Sequence, residues 1–226
     1  MRTVPPVPDA RSLRLWPTDW LNPLDLESTW EQRGPRAVDL GCGKGRFLLA
    51  HAARHPEMRL LGIERKLRRI RKIDRKADQL GLRNIRLLRM EATYAMTYLI
   101  PPGWIDICYI YFPDPWPKDR HVDNRLLSAP FLDSLERTLS PDGVVHFATD
   151  HEPYFQQVSE LVAADARWTS TEPYRLEEDE VSDFELIHRD HKPIHRLSFS
   201  RKNPLREEWA LVDMGPRFRS ASSGTM

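Results

Sequence analysis

Residues 36–45 of the chain read Arg36-Ala37-Val38-Asp39-Leu40-Gly41-Cys42-Gly43-Lys44-Gly45, and this segment is the strongest indication of the fold. It reads as an apolar β-strand that runs directly into a glycine-rich loop, after which a helical pattern begins. Glycines in such a loop let the backbone approach a ligand closely, and amides at the start of the helix point at the ligand's polar end. The stretch predicts a nucleotide-binding α/β fold, with a purely structural strand-to-helix turn as the alternative.

The spacing of the loop and its acid favour one kind of cofactor. Dinucleotide folds use G-x-G-x-x-G, whereas Gly41, Gly43 and Gly45 alternate and Asp39 precedes them. A carboxylate at the end of the strand suits an ammonium group and would repel a pyrophosphate. S-adenosylmethionine carries such an amine and no phosphate, so it is preferred over NAD.

The rest of the chain alternates apolar β-prone runs with longer helical patterns, which is typical of a mostly parallel sheet with crossover helices. Helices are predicted to start near Gly45, Lys66, Tyr94, Asn124 and His151. The last strand follows a polar loop with no crossover helix, so it should pair antiparallel with its predecessor. The seven predicted strands are Arg36 to Leu40, Arg59 to Glu64, Ile85 to Met90, Ile105 to Phe112, Val144 to Thr149, Trp168 to Tyr174 and His195 to Ser200.

Length and composition predict one globular domain, since the chain has 226 residues of which 40% are hydrophobic. Residues 1–34 carry five prolines without periodicity and are expected to be a loosely ordered N-terminal extension. Residues 35–202 should form the folded domain, and residues 203–226 a C-terminal tail. A formal net charge of +1 predicts neither nucleic-acid nor membrane binding by itself.

The compartment is predicted from what the sequence lacks. Cys42 and Cys108 fall in predicted buried segments, so neither a disulfide framework nor a thiolate metal site is expected. No apolar run approaches the roughly 20 residues of a membrane span, and the start of the chain is unlike a signal peptide. The sequence therefore predicts a cytoplasmic protein with no membrane partner.

Acidic residues follow the next two predicted strands. Glu64 closes the second strand 19 residues after Gly45, where an acid can bond both hydroxyls of a ribose. Glu91 ends the third strand and could bond an adenine amino group. For both residues an ordinary acidic residue at a helix start is the alternative.

The fourth predicted strand ends in Tyr111-Phe112-Pro113-Asp114-Pro115-Trp116-Pro117-Lys118. The prolines that flank Asp114 restrict the backbone, so the carboxylate has few directions in which to point. We expect Asp114 to hold a planar base beside the cofactor. Trp116 either stacks on that base or packs within the protein.

Together these motifs resemble those of the bacterial tRNA (guanine-N7-)-methyltransferase family, from about Arg36 to Arg201. The Pro-Asp-Pro-Trp segment with its lysine is far more specific than the glycine loop. The matching motifs are the Asp39 glycine loop, Gly62-Ile63-Glu64, Phe112 to Lys118 with Arg120-His121, Ala148-Thr149-Asp150, Phe184-Glu185 and Pro193-Ile194-His195-Arg196.

The resemblance implies a Rossmann-like class I methyltransferase fold, with a seven-stranded sheet whose last strand is antiparallel. It implies transfer of a methyl group from S-adenosylmethionine to N7 of a guanosine in the variable loop of tRNA, position 46 in the family, by a monomer or a homodimer. The implied cofactor-binding residues are Asp39, Gly41, Gly43, Gly45, Glu64, Glu91 and Asp114. Asp114 is also the implied catalytic residue, and the implied substrate-binding residues are Lys118, Asp150, Ser182, Asp183, Phe184 and Glu185.

Three departures from the family pattern bear on the site. Glu91 stands where the family usually has Asp, which lengthens the reach to adenine by one methylene. Asp183 adds negative charge to a segment implied to face RNA. Val122-Asp123-Asn124 is less basic than usual, which weakens that flank as a phosphate clamp.

A run of cations from Arg65 to Lys76 could compensate, since it packs eight basic residues into twelve. Its apolar positions recur at helical spacing, so one face should be buried and the others cationic. This predicts a phosphate-binding helix, with a merely solvated surface as the alternative.

The histidines give little support for other chemistry. His51 and His55 are four residues apart on a predicted helix, but no acidic or thiolate third ligand lies at metal spacing, so no metal site is predicted. Two other functions stay open: a methyltransferase acting on another nucleic-acid base or a protein amide, and a non-catalytic RNA-binding protein on the same scaffold.

Overall fold

The computed structural model describes residues 12–202, apart from the side chains of residues 119 and 120. Three parts of the sequence analysis lie outside the described residues: residues 1–11 of the expected N-terminal extension, the expected tail 203–226, and the Arg120 side chain of the proline motif.

The centre of the fold is a sheet of eight strands in the order β1-β4-β3-β2-β5-β6-β8-β7. The neighbours from β1 to β6 in this order are parallel, and β8 is antiparallel to both β6 and β7. The mostly parallel sheet expected from the sequence is confirmed. The strands are β1 (Arg14–Leu15), β2 (Arg36–Leu40), β3 (Arg59–Ile63), β4 (Ile85–Leu88), β5 (Ile105–Tyr111), β6 (Leu139–Thr149), β7 (Trp168–Thr171) and β8 (His195–Arg201).

The count of seven strands was one too low, because β1 extends the sheet beyond β4. Residues 12–34 were expected to be loosely held, yet Leu13, Leu26 and Trp30 are buried. The indole of Trp30 donates to the carbonyl of Asn84 at 3.2 Å and stacks on Trp104. These three buried residues are isolated in the sequence, so no hydrophobic periodicity predicts their burial.

The last strand pairs antiparallel with its predecessor, as predicted, but it does not lie at the edge of the sheet. β8 is inserted between β6 and β7. The loop before it was expected to lack a helix, and it carries a short one, α6 (Asp183–His188), capped by the Ser182 hydroxyl. A six-residue helix shows too little periodicity to be recognised from sequence.

Helices cover both faces of the sheet and bury two apolar clusters. One face carries α1 (Arg46–Arg54) and α2 (Leu67–Gln79), and the other carries α3 (Ala92–Tyr94), α4 (Ala129–Thr138) and α5 (Glu152–Ala164). In α2 the buried residues Ile70, Ile73 and Ala77 form one stripe, as the sequence predicts. The fourth helix begins at Ala129 rather than near Asn124, because Pro130 favours the first turn of a helix.

Among the described residues, no helix is both long and apolar enough to cross a membrane.

Candidate active site

The candidate site lies along the edge where the parallel strands end. Register places Asp39 beside Gly62, Ile63 beside Leu88, and Tyr111 beside Ala148, so the residues that follow β2, β3, β4, β5 and β6 share this edge. Ligands bind at this edge in open α/β sheets. A cleft of about 840 Å³ opens there, and its lining includes Gly41, Glu64, Glu91 and Asp114.

The glycine loop has the backbone that the sequence predicts. Gly41, Gly43 and Gly45 all have positive φ, between 58° and 79°. A Cβ on Gly41 would meet no atom within 4 Å, so the loop leaves open space for a ligand on the cleft side. A Cβ on Gly45 would lie 2.5 Å from the Ile73 side chain, so this glycine is needed for close packing of the loop on α2.

Asp39 ends β2 as a buried acid, with 4% of its surface exposed. Among the described side chains and backbone amides, no group donates a hydrogen bond to its carboxylate and no cation pairs with it. Burial, together with the nearby negative charge of Glu64, raises the pKa of Asp39 to about 7. A ligand that carries a positive charge would stabilise the ionised form of this carboxylate.

Glu64 lines the cleft, and only 5% of its surface is exposed. One of its oxygens accepts from the backbone amide of Lys66 at 2.8 Å, and the other pairs with Arg69 at 2.9 Å. These contacts fix the carboxylate at the start of α2 and leave lone pairs for a ligand's hydroxyl groups. Arg69 was not singled out from the sequence, where it is one cation in a long basic run.

Glu91 is exposed at the end of β4 and caps α3. Its two carboxylate oxygens accept from the amides of Thr93 and Tyr94 at 3.0 and 2.9 Å. The helix runs directly into a π-helical turn, Ala95–Leu99, from which Thr97 reaches the cleft lining. Such turns are frequent at functional sites. Glu91 is therefore an acidic residue at the start of a helix, which was the alternative considered from the sequence. It also lines the cleft.

The proline turn after β5 places Asp114 on the cleft wall as an exposed side chain. Phe112 and Trp116, on either side, have φ of 52° and 44°, values that cost non-glycine residues energy and are concentrated at functional sites. Arg125 holds the turn through its Nε, which donates to the carbonyl of Pro115 at 2.8 Å. Arg125 is itself fixed by Gln157 and by the ring of Tyr154. No sequence pattern predicts this contact, because Arg125 lies in a loop without periodicity.

The Trp116 ring is 38% exposed and lines the cleft. Its one ring contact among the described side chains is with His121, edge to face at 5.7 Å. A half-exposed indole on a cleft wall is suited to stack on a flat ligand.

The expected substrate-binding residues form a second group, which is outside the cleft lining. Lys118 is exposed. Asp150 follows β6 and accepts from the Lys192 ammonium at 2.9 Å. Ser182, Asp183, Phe184 and Glu185 form the start of α6.

One aromatic contact joins the two groups. The ring of Phe184 lies 5.0 Å from that of Phe112, which begins the proline turn. Glu185 is buried and pairs with Arg196 of β8, so α6 is fixed to the sheet beside the turn. The structure thus brings residues 182–185 next to the Asp114 turn, although about seventy residues separate them in the sequence.

Comparison with known proteins identifies the family. The family model described as "Putative methyltransferase" matches residues 33–196. The chain belongs to this methyltransferase family. The matched range contains every expected site residue of the cleft and of α6.

Curated relatives agree with the resemblance seen in the sequence. A tRNA (guanine-N(7)-)-methyltransferase of Thermotoga maritima is 38% identical over 136 residues, which are 60% of this chain and 44% of the relative. One of Sodalis glossinidius is 35% identical over 148 residues, 64% of this chain and 62% of the relative. The chain therefore matches less than two thirds of the length of these relatives.

Solved structures share the fold. A 16S rRNA methyltransferase, KamB, superimposes with a TM-score of 0.59 at 19% identity, covering 80% of this chain and 93% of that one. The aminoglycoside resistance methyltransferase NpmB1 superimposes with a TM-score of 0.54 at 19% identity, covering 78% and 92%. The Rossmann-like methyltransferase fold expected from the sequence is confirmed.

The cleft fits S-adenosylmethionine, the cofactor that this family assignment supports. Gly41 leaves room for a ligand near the backbone. Glu64 and Glu91 line the cleft with fixed carboxylates, and the buried Asp39 directly precedes Leu40 and Gly41 of the lining and pairs with no cation among the described residues. The amine, the ribose and the adenine of the cofactor can each meet one of these three acids where the strands end.

Proposed function

We propose that the protein methylates N7 of a guanosine in tRNA, with S-adenosylmethionine as the methyl donor. One observation carries the proposal: the rigid Pro113-Asp114-Pro115-Trp116 turn lies on the wall of the same cleft as Glu64 and Glu91. Relatives named for this reaction match at 32–38% identity. The variable loop is the proposed location of the guanosine.

The cofactor end of the cleft is assigned to Asp39, Glu64 and Glu91, with Gly41, Gly43 and Gly45 giving close backbone approach. Asp39 receives the amine, Glu64 the ribose hydroxyls, and Glu91 the adenine. S-adenosylmethionine, when bound, supplies an electrophilic methyl group. The protein's part at this end is to bind and orient.

At the substrate end the residues position a base rather than remove a proton. N7 of guanine keeps a free lone pair at neutral pH, so its attack on a methyl group needs alignment and exclusion of water. Asp114 is assigned to accept hydrogen bonds from the base. Arg125 holds the backbone of the turn, and Trp116 offers a face for stacking.

RNA outside the target base is assigned to two surfaces. Lys118, Asp150 and residues 182–185 lie beside the turn and are proposed to contact the nucleotides around the guanosine. The first turns of α2 adjoin the cleft, since Arg65, Lys66 and Arg69 line it. The exposed cations of α2 continue this surface and suit the phosphates of RNA.

The test is methyl transfer to unmodified transcribed tRNA from methyl-labelled S-adenosylmethionine, followed by nucleoside digestion and mass spectrometry. We expect labelled 7-methylguanosine, mapped to the variable loop by nuclease fragments. A different methylated nucleoside would assign the protein to another base. Cofactor binding without any transfer to tRNA or to 16S rRNA would make it an RNA-binding protein on this scaffold.

Asp114→Asn is the matched variant for this assay, because the amide keeps the size of the side chain and removes its charge. We expect transfer to fall by at least about 100-fold, since a positioning contact at the reacting base is lost. The circular dichroism spectrum should change little, which separates the loss of transfer from a folding defect. Wild-type transfer by this variant would contradict the role given to Asp114.

A further inference from the structure

Two histidines and a glutamate meet beside α1, and none of the three residues lines the cleft described above. His51 and His55 lie four residues apart on α1 and just after it, and Glu180 comes from the loop before α6. Their ligand-type atoms all lie within 4.8 Å of one another. No third ligand was found from sequence, because Glu180 is 129 residues away from His51 along the chain.

The inner nitrogens of both rings face the same carboxylate oxygen. Nδ1 of His51 lies 2.6 Å from Oε1 of Glu180, and Nε2 of His55 lies 3.6 Å from it. The His55 Nε2 is buried and has no hydrogen-bond partner among the described residues. Glu180 is fully buried. His51 and Glu180 hydrogen-bond to each other directly, whereas the unsatisfied nitrogen of His55 faces the same buried oxygen. A small cation bound among the three groups would replace that hydrogen bond and give each group a partner.

The outer nitrogens have the partners that metal-binding histidines use. Nε2 of His51 lies 3.0 Å from the hydroxyl of Tyr109, and Nδ1 of His55 lies 3.6 Å from a carboxylate oxygen of Glu57. Such outer contacts fix the ring orientation and raise the basicity of the ligand atom. The second oxygen of Glu180 accepts from the amide of Glu177 at 3.1 Å, which fixes the carboxylate as well.

The charges around the cluster favour a cation. Arg54 comes within 3.9 Å of Glu180, but its guanidinium is paired with Asp179 at 2.7 Å. The charges of Arg54 and Asp179 cancel, so the carboxylate of Glu180 gives the cluster a net charge of minus one.

We propose that His51, His55 and Glu180 form a binding site for a divalent transition metal, with Zn²⁺ the best match. Two imidazoles and one carboxylate are a common zinc donor set, and the side chain of His55 is 30% exposed, which gives an entry path and room for a water as fourth ligand. The metal would fasten α1 to residues 177–181, the segment that leads directly into α6.

The test is zinc binding to the full chain after chelator treatment and dialysis, measured by competition with a chromophoric chelator. We expect one zinc ion per chain, and an absorption spectrum of tetrahedral type when Co²⁺ is used instead. His55→Ala should weaken binding by about 100-fold or more. His191→Ala removes an exposed histidine of the loop after α6 and should leave binding unchanged.

A second variant guards against a folding defect. Glu180→Gln keeps the shape of the buried side chain and should also lose zinc, with the thermal midpoint of the wild type, but not of either variant, rising when zinc is added. The site is refuted if the wild type binds no micromolar zinc, or if His55→Ala and His191→Ala bind alike. None of these readouts depends on methyl transfer.

Discussion

Asp39, the proposed partner of the cofactor's amine, is expected to lower the stability of the fold. It is an acid buried at the end of β2, without a cation among the described residues, and its pKa is raised to about 7. The folded state therefore holds a proton that the unfolded chain, with a carboxyl pKa near 3.8, releases. As pH rises from about 4 to about 7, the wild-type protein must lose stability through this residue.

Asp39→Asn removes that penalty. We expect the variant to be more stable than the wild type at pH 8 by roughly 2–4 kcal/mol, with a smaller difference at pH 5. Urea unfolding at the two pH values measures this. The exposed Asp142→Asn serves as the control and should show no such trend.

The same variant should bind S-adenosylmethionine more weakly, because the amine loses its carboxylate partner.

If the stability difference between Asp39→Asn and the wild type is identical at pH 5 and pH 8, the Asp39 carboxylate is not the source of that difference.

The acids of the cleft were predictable from the sequence, but the residues that hold them in place were not. Asp39 lies near the end of a recognisable strand, and Glu64, Glu91 and Asp114 each follow one, so position alone marks them. Arg125 and Glu180 contact their partners from loops, and a loop residue carries no periodic signal. Long-range pairs of this kind become visible only when the chain is folded.

At the scale of elements, α2 combines structure and charge. Its buried stripe was predictable because Ile70, Ile73 and Ala77 recur at helical spacing. The role of Arg69 was not, because only the structure shows it paired with Glu64 at the cleft, apart from the other cations. A test of the basic surface must therefore leave Arg69 in place.

Arg68→Glu combined with Arg71→Glu is that test. Both side chains are exposed on α2, so we expect a higher KM for tRNA and a log–log salt dependence that is flatter by up to ~0.9 per lost phosphate contact. Filter binding at several salt concentrations measures the slope.

Arg33→Glu with Arg83→Glu is the matched control. These exposed cations precede β2 and β4 and so lie at the opposite edge of the sheet. Equal slopes for the two double variants would show that the cations of α2 are only a solvated surface.

At the scale of the whole molecule, residues 12–34 belong to the folded domain. Trp30 is 6% exposed between Trp104 and the carbonyl of Asn84, so it joins the N-terminal segment to β4 and β5. The sequence suggested the opposite because prolines and irregular spacing are read as signs of disorder. A few large anchors on a neighbouring surface are enough to order such a segment.

Trp30→Ala should lower the free energy of unfolding by about 3–5 kcal/mol, the usual cost of emptying a buried indole site. Trp20→Ala, at a ring that is 50% exposed, should cost less than about 1 kcal/mol. Chemical denaturation of the two variants compares them directly. Equal effects would mean that the segment does not anchor the domain.

The insertion of β8 between β6 and β7 has a consequence for how the protein is made. β6 is complete at Thr149, but its sheet neighbour ends at Arg201, about fifty residues later. At ribosomal speeds of ~5–20 residues per second, the open edge of β6 waits roughly 3–10 seconds for its partner. An unpaired strand edge can pair with strands of other chains, so nascent chains that are translated close together are at risk of aggregation. We expect this protein to need a chaperone during its synthesis rather than after folding.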